Sequence, residues 1–163
     1  MPPIVSIVGQ SKSGKTTIIE ALISELKSRG YRIATIKHSV HRLNLDKPDK
    51  DSWRHIQAGS DATAIVSPDQ IVLIKPAAQE PDLNEIASLF GEDPDIIITE
   101  GFKHSNAPKL EVHRKAVGPP LSQINNLIAI ATDEPLETKT RQFSLHDIKG
   151  LADLLENSFI KPK

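Results

Sequence analysis

A glycine-rich loop near the amino terminus constrains the fold of this chain more than any other feature. The loop reads GQSKSGKTT and follows residues 4–8, a short run of mostly β-branched residues that is typical of a buried strand. After the loop, residues 16–28 carry apolar side chains at helical spacing, and Gly30 is expected to end that helix. The chain therefore begins with a strand, a tight loop and a helix.

The loop matches the phosphate-binding pattern G-x-x-x-x-G-K-S/T through Gly9, Gly14, Lys15 and Thr16. Because it joins a strand end to a helix start, backbone N–H groups and the positive end of the helix dipole point into one concavity. The glycines let the backbone approach phosphate oxygens, Lys15 offsets phosphate charge, and the Thr16 hydroxyl can ligate Mg²⁺. Further hydrogen bonds can come from Ser11, Ser13 and Thr17. The loop predicts a nucleoside triphosphate bound with Mg²⁺; a glycine-rich turn with a solvated lysine is the alternative.

The rest of the chain continues the alternation of strands and helices. Strands are predicted at residues 32–37, 95–99, 109–113 and 127–131, helices at 51–59, 82–90 and 145–159, and a hairpin at 61–67 and 70–75. Aromatic residues make up only 4% of the chain, so aliphatic side chains must fill the core, as in parallel strands covered by helices. The prediction is an α/β fold of the three-layer P-loop NTPase type: a mainly parallel sheet, an antiparallel hairpin and helices on both faces. Such sheets bind ligands at the carboxyl ends of their strands.

Length and charge limit the other possibilities. At 163 residues the chain is expected to form a single domain, residues 1–163, with a flexible loop at 115–123 and a frayed tail at 160–163. A net charge of -1 gives no electrostatic basis for general binding to nucleic acid or to a membrane surface. No apolar run approaches the ~20 residues of a membrane-spanning helix, and the amino terminus does not resemble a signal sequence. We therefore expect a soluble, cytoplasmic protein without nucleic-acid or membrane partners.

Glu100 is the second candidate catalytic residue, beside Lys15. It ends the apolar strand of DPDIIITEGFK, where a carboxylate can face the γ-phosphate and the magnesium shell. Such a group could hold a metal-bound water or orient an attacking water. A capping or surface carboxylate is the alternative.

The polar segment after the second strand has the composition of an active-site loop. Contacts to phosphate or to an anionic partner could come from Lys37, His38, His41 and Arg42. Asp46 and Asp51 could reach the metal in the position of a nucleotide-sensing switch. Single histidines are more often solvated than ligands, so a solvated loop is the alternative. Asp46 joins Thr16 and Glu100 as a candidate metal ligand.

Two further sets of polar residues lie later in the chain. The segment EGFKHSNAPKLEVHR could present a basic rim to a phosphorylated second ligand or form a polar strand at a sheet edge; its charged side chains include Lys103, Lys109, Glu111, His113 and Arg114. Asp133 follows the strand predicted at 127–131, where its carboxylate could accept two hydrogen bonds from the guanine edge. The guanine-reading pattern Asn-Lys-x-Asp is missing, and loop capping is the other role open to Asp133.

Four blocks of the sequence occur in a distinctive order and spacing: GQSKSGKTT, IKH…H…D…KDS…R…AG, EGFK…PKLEVHR and ATDEP. Together they resemble the MobB family of molybdopterin-guanine dinucleotide biosynthesis adaptor proteins. The resemblance runs from Ile4 to about Glu156, and its KDS and EGFK…PK blocks are more specific than the phosphate loop. Asp49 departs from the pattern, because the family usually has glycine between the proline and the lysine of KPDKDS.

The resemblance implies a GTP-binding P-loop protein with weak, magnesium-dependent GTPase activity that assists the attachment of GMP to molybdopterin. In that family a separate guanylyltransferase, MobA, performs the attachment, and homodimers are usual. The implied partners are therefore GTP, MobA, molybdopterin and a second copy of the chain. The resemblance implies that residues 9–17 are the phosphate loop of the family and that Thr16 is its magnesium ligand. It also implies that Glu100 is the acidic residue that ends a buried strand.

Two other functions are compatible with the sequence. A small-molecule kinase with the same loop would transfer the γ-phosphoryl group to an acceptor held by Lys103, Lys109 and Arg114, although no arginine-rich helical lid is evident. A nucleotide-controlled interaction module with incidental hydrolysis is the other. Rapid phosphoryl transfer to an acceptor would identify the kinase, whereas slow phosphate release stimulated by a partner would identify the accessory protein.

Overall fold

The structure is a computed structural model that describes residues 1–41 and 48–160. It contains two compact units, one formed by residues 1–38 and 83–163 and the other by residues 39–82. The single domain and the flexibility of residues 115–123 stay predictions. Ile160, the first residue of the predicted frayed tail, is buried, and residues 161–163 lie outside the described part of the chain.

The described residues form eight strands and four helices. In chain order these are β1 (Ile4–Val8), α1 (Lys15–Ser28), β2 (Ile33–Lys37), α2 (Asp51–Gln57), β3 (Thr63–Val66), β4 (Ile71–Ile74), α3 (Leu83–Ser88), β5 (Ile96–Glu100), β6 (Lys109–His113), β7 (Leu127–Thr132), β8 (Arg141–Ser144) and α4 (Ile148–Phe159). Each predicted element is present within a few residues of its expected bounds, and β8 was not predicted. None of the helices in the described ranges is both long enough and apolar enough to cross a bilayer.

The larger unit is built on a six-stranded sheet in the order β2-β5-β1-β6-β7-β8, with every neighbouring pair parallel. Because β1 lies between β5 and β6, the loop that follows it opens near the middle of the sheet's carboxyl edge. Strands β1 and β5 pair in a register that sets Ile7 opposite Glu100. The predicted mainly parallel α/β sheet is confirmed, and this register brings Glu100 to the edge where the phosphate loop begins.

Helices cover both faces of this sheet, as predicted. The larger apolar cluster joins Leu22 of α1 and Leu151 of α4 to sheet residues such as Ile98. A smaller cluster joins Ala87 of α3 to Ile97 on the opposite face. Full burial of one such aliphatic side chain stabilises the fold by about 1.5–3 kcal/mol. The two clusters therefore hold the strands rigidly beneath the loops at the carboxyl edge.

Strand β6 lies inside the sheet, between β1 and β7, so the prediction of a polar strand at a sheet edge is wrong. Its apolar residues Leu110 and Val112 belong to the larger cluster. The alternating residues Lys109, Glu111 and His113 point to the other side of the sheet, and they too are buried. A basic rim that is open to solvent is therefore also wrong for Lys109 and His113.

The carboxyl-terminal region differs from the prediction in two places. Strand β8 is short and lies at the sheet edge with only Phe143 buried, so its sequence, RQFS, lacks the apolar run that predicts a strand. Helix α4 begins at Ile148 rather than at residue 145. The reason is a cap: the Asp147 carboxylate accepts a hydrogen bond from the backbone N–H of Gly150, which fixes the helix start.

The smaller unit contains α2 and a two-stranded antiparallel sheet. Strands β3 and β4 pair with Thr63 opposite Ile74, which confirms the predicted hairpin. Asp49, at the position where the family usually has glycine, has a φ of 70°. This left-handed conformation favours glycine, so the turn has kept the geometry of a glycine position although aspartate occupies it. Five apolar side chains of the hairpin are exposed: Ile65, Val66, Ile71, Val72 and Leu73.

Candidate functional site

The loop between β1 and α1 has the backbone geometry that its motif predicts. Gly9 has a φ of 148° and Gly14 a φ of 97°, both in the region that favours glycine. A Cβ on Gly9 would lie 2.4 Å from the carbonyl oxygen of Val112, so only glycine fits against β6. Gly14 is the N-cap of α1 and supplies no capping side chain, which leaves the first N–H groups of the helix available to an anion. The loop therefore has the shape of a phosphate cradle.

Lys15 directs its ammonium group into this loop. Nζ donates hydrogen bonds to the carbonyl oxygens of Gly9, at 3.0 Å, and Gln10, at 2.6 Å. Burial lowers the pKa of Lys15, while the nearby Glu100 carboxylate acts in the opposite direction. The carbonyl groups of Gly9 and Gln10 thus hold the ammonium group at the loop, as expected for a lysine that compensates phosphate charge.

Thr16 and Glu100 meet beside the loop, although 84 positions separate them in the sequence. The Thr16 hydroxyl lies 3.1 Å from Oε1 and 3.2 Å from Oε2 of Glu100. The ammonium group of Lys37, at the end of β2, lies 3.5 Å from Oε2 of the same carboxylate. Two of the three candidate metal ligands therefore lie together, and the carboxylate already pairs with a cation.

The oxygen donors at this position fit Mg²⁺. Mg²⁺ is usually bound by one or two protein oxygens and keeps water and substrate phosphate oxygens as its other ligands. Thr16 and Glu100 would supply a hydroxyl and a carboxylate. Within residues 1–41 and 48–160, no group of three or more His, Cys, Asp or Glu side chains is placed to hold a metal ion.

The polar segment that begins at the end of β2 supplied six candidate residues, of which the structure describes four: Lys37, His38, His41 and Asp51. Asp46 and Arg42 lie outside the described residues. Asp51 begins α2 in the smaller unit and is exposed, and His41 belongs to the same unit. His38 packs against Phe102, with the two ring centroids 4.9 Å apart. Among the described residues of this segment, Lys37 contacts the Glu100 carboxylate, and the backbone N–H of His38 donates a 3.0 Å hydrogen bond to the Glu100 carbonyl oxygen.

The hydroxyl residues of the loop divide into two groups. Ser11, Thr16 and Thr17 are exposed at the loop and the first turn of α1. Ser13 is buried, and a Cβ on Gly9 would lie 2.8 Å from its Oγ. Its hydroxyl has no hydrogen-bond partner among the described residues. Ser13 thus packs behind the loop, whereas the other three hydroxyl residues are accessible to solvent.

Asp133 lies directly after β7, as predicted, and one of its carboxylate oxygens is used by the protein itself. Oδ1 accepts a hydrogen bond of 2.8 Å from the backbone N–H of Lys115. The next residue, Glu134, pairs with the ring Nε2 of His113 at 3.0 Å and with the ammonium group of Lys115 at 3.3 Å. The bond with His113 lowers the pKa of Glu134. Asp133 therefore holds the loop after β6 through this hydrogen bond. Its predicted acceptance of hydrogen bonds from guanine stays a prediction.

Lys109 has a different role from the one its charge indicates. It is 0% exposed, and its ammonium group donates to the carbonyl oxygens of Ser105, at 2.6 Å, and Ala107, at 2.9 Å, and to Oδ1 of Asn125, at 3.0 Å. Burial lowers the pKa of Lys109. This lysine fastens the loops that cover β6, so it is not available to hold a second ligand.

Comparison with known proteins gives a consistent assignment. The profile of the family described as "MobB: Molybdopterin guanine dinucleotide synthesis protein B" matches residues 4–133. The "Molybdopterin-guanine dinucleotide biosynthesis adapter protein" of Haemophilus influenzae is 36% identical over 157 residues, which cover 95% of this chain and 88% of the relative. The protein of the same description from Escherichia coli is 34% identical over 161 residues, covering 95% and 92% of the two chains.

Solved structures give the same result. Bacillus subtilis MobB aligns over 99% of both chains with a TM-score of 0.75 and 26% identity. A crystal structure described as "molybdopterin-guanine biosynthesis protein B (mobB)" aligns over 94% of this chain and 98% of its own, with a TM-score of 0.75 and 28% identity. The predicted fold class is thereby confirmed. Because the family profile and two curated relatives span most of its length, this chain belongs to the MobB family.

Proposed function

We propose that this chain is a GTP-binding accessory protein that acts in the biosynthesis of molybdopterin-guanine dinucleotide and assists the guanylyltransferase MobA. The names of its relatives support the pathway. The observation that carries the nucleotide site is the cluster of Lys15, Thr16 and Glu100 at a glycine loop of the correct backbone shape. The cytoplasm is the proposed location.

The phosphate loop would hold the triphosphate through its backbone. The N–H groups at the start of α1 donate to the β- and γ-phosphates, and Gly9 and Gly14 allow the close approach. Lys15 leaves the carbonyl oxygens of its own loop and donates to phosphate oxygens. Further hydrogen bonds come from Ser11 and Thr17 and from the backbone at Ser13, and Asp133 accepts from the guanine edge.

Hydrolysis by this site should be slow. Thr16 and Glu100 would hold Mg²⁺, with Asp46 as a further proposed ligand, and the bound ion would supply positive charge to the phosphates. Glu100 also orients the attacking water. Fast hydrolysis needs an additional positive charge near the γ-phosphate, and P-loop proteins often receive it from a partner. A weak GTPase that a partner stimulates agrees with an accessory role.

Replacement of Glu100 by glutamine tests this assignment. The variant should bind GTP within about threefold of the unmodified protein, because the phosphate loop supplies most contacts and the amide oxygen can still ligate Mg²⁺. Phosphate release should slow on the order of tenfold or more. Phosphate release from GTP–Mg²⁺ is measured with and without MobA, and stimulation by MobA is expected for the unmodified protein. Glu137→Gln, on an exposed loop, makes the same chemical change away from the site. An unchanged release rate in Glu100→Gln would remove Glu100 from the mechanism.

One of the three residues that the kinase hypothesis assigns to acceptor binding is not available for that role. That hypothesis required Lys103, Lys109 and Arg114 to face a second substrate, but the ammonium group of Lys109 is buried and bonded to loop oxygens. No observation favours this function, so we propose only the accessory role.

Two further partners belong to the proposal. Molybdopterin would be presented to MobA with the help of this chain, and a second copy of the chain would form a homodimer. The exposed apolar side chains of β3 and β4 support the homodimer, because a two-stranded hairpin is marginally stable alone and contiguous apolar patches mark interaction surfaces. The mass in solution, measured by sedimentation, tests the homodimer.

A further inference from the structure

The end of strand β6 brings an arginine against the phosphate loop. The Nε of Arg114 donates a 3.0 Å hydrogen bond to the carbonyl oxygen of Ser13. A Cβ on Gly14 would lie 3.4 Å from both Nε and Nη2 of this guanidinium group. Arg114 therefore covers the backbone of the two residues that precede α1, from a strand that is 101 positions away in the sequence.

The chain after Arg114 contacts the phosphate loop a second time. The side-chain amide of Gln10 donates a 2.7 Å hydrogen bond to the carbonyl oxygen of Pro119. Gly118 has a φ of 142°, and a Cβ there would lie 3.2 Å from the Gln10 amide nitrogen. The segment 114–121 thus leaves β6 and touches the phosphate loop near both of its ends, at Gln10 and at Ser13.

The same segment is fastened to the rest of the sheet. The backbone N–H of Lys115 donates to Asp133 after β7, and the N–H of Leu121 donates to Oε1 of Glu111 at 2.7 Å. Glu111 is buried on β6. Because one anchor lies on β6 and the other directly follows β7, the segment is tied to the same sheet that positions the phosphate loop.

The loop needs such support. Gly9, Lys12 and Gly14 all have positive φ, and Lys12, at 65°, is not a glycine. A non-glycine residue in this conformation is unfavourable, so the loop would relax elsewhere without contacts that hold it. A loop that must be ordered by its ligand binds more weakly than one that is already ordered.

We propose that Arg114 is a positioning residue of the nucleotide site and that, with the bond from Gln10 to Pro119, it holds the phosphate loop in its binding shape before nucleotide arrives. The consequence for affinity rests on the proposed function, whereas the order of the free loop does not. The phosphate-binding pattern does not specify Gln10 and does not include Arg114, so neither role follows from the pattern.

The first arm of the test uses the protein without nucleotide. In Arg114→Gln, hydrogen exchange at the amides of residues 9–15 should be at least about tenfold faster than in the unmodified chain, while exchange in α4 should not change. Arg32→Gln, at the opposite end of the sheet, removes the same charge and should leave the loop unchanged. Equal exchange in the loop of Arg114→Gln and the unmodified chain would overturn the proposal.

The second arm measures affinity by calorimetry. Arg114→Gln and Gln10→Ala should each weaken the binding of GTP and GDP by the same factor, about tenfold, because the loop rather than the γ-phosphate contact is altered. Millimolar guanidinium should recover part of the loss in Arg114→Gly. Faster exchange with unaltered affinity would overturn the positioning role. If the unmodified chain binds no GTP but Arg114→Gln exchanges faster, the proposed function fails and the support of the loop stands.

Discussion

Replacement of Lys15 by alanine is expected to abolish triphosphate binding and to leave the fold intact. The ammonium group lies in the loop and donates only to the carbonyl oxygens of Gly9 and Gln10 among its described contacts. Burial lowers the pKa of Lys15 because it disfavours the charged ammonium group. Removing a cation that pairs with buried phosphate oxygens costs at least about 100-fold in affinity, or ~2.7 kcal/mol. Calorimetric titration with GTP–Mg²⁺ measures the loss.

A lysine on the same helix provides the matched control. Lys27 lies in the last turn of α1 and is exposed, so Lys27→Ala should keep the affinity for GTP. Thermal unfolding of Lys27→Ala should occur within about 2 °C of the unmodified protein. Lys15→Ala should unfold cooperatively within about 8 °C of it, because the change loses two hydrogen bonds but no core packing. If Lys15→Ala bound GTP as tightly as Lys27→Ala, the phosphate loop would not be the nucleotide site.

Replacement of Lys109 by methionine is expected to destabilise the protein more than any other single change considered. Methionine keeps the apolar stem but leaves the oxygens of Ser105, Ala107 and Asn125 without their donor. A hydrogen bond from a charged donor contributes about 1 kcal/mol or more, so the loss of these bonds should lower the free energy of unfolding by about 3 kcal/mol. Urea denaturation followed by circular dichroism measures this change.

Lys103→Met separates this effect from a general loss of charge. Lys103 is exposed on the loop that precedes β6, and its replacement should change the free energy of unfolding by less than about 0.5 kcal/mol. A change below about 1 kcal/mol in Lys109→Met would mean that the ammonium group does not fasten the loops that cover β6.

The phosphate loop could be predicted because its signal is local. Nine consecutive residues carry both the glycines and the ammonium group, and the flanking strand and helix are short-range patterns. Glu100 was also predictable, since it follows the most apolar strand after the first and parallel strands end at one edge of the sheet. Its contact with Thr16 confirms that argument.

Strand β6 shows why the rest could not be predicted. The alternation Lys-Leu-Glu-Val-His is the pattern of a strand with one face in water. The polar face is buried because loops cover it and supply oxygens to Lys109, which depends on residues such as Asn125, 16 positions away. Alternation of apolar and polar residues shows that successive side chains point to opposite faces of the sheet. It does not show whether solvent or other parts of the chain cover each face. The bond between Arg114 and Ser13 was unpredictable for the same reason.

The most direct test of the whole account is a calorimetric competition of GTP against ATP for the unmodified protein in the presence of Mg²⁺. We expect a saturable site that binds GTP at least about tenfold more tightly than ATP and that needs Lys15 for both. Absence of binding by either nucleotide would contradict the phosphate cradle, and equal or tighter binding of ATP would contradict its assignment to GTP.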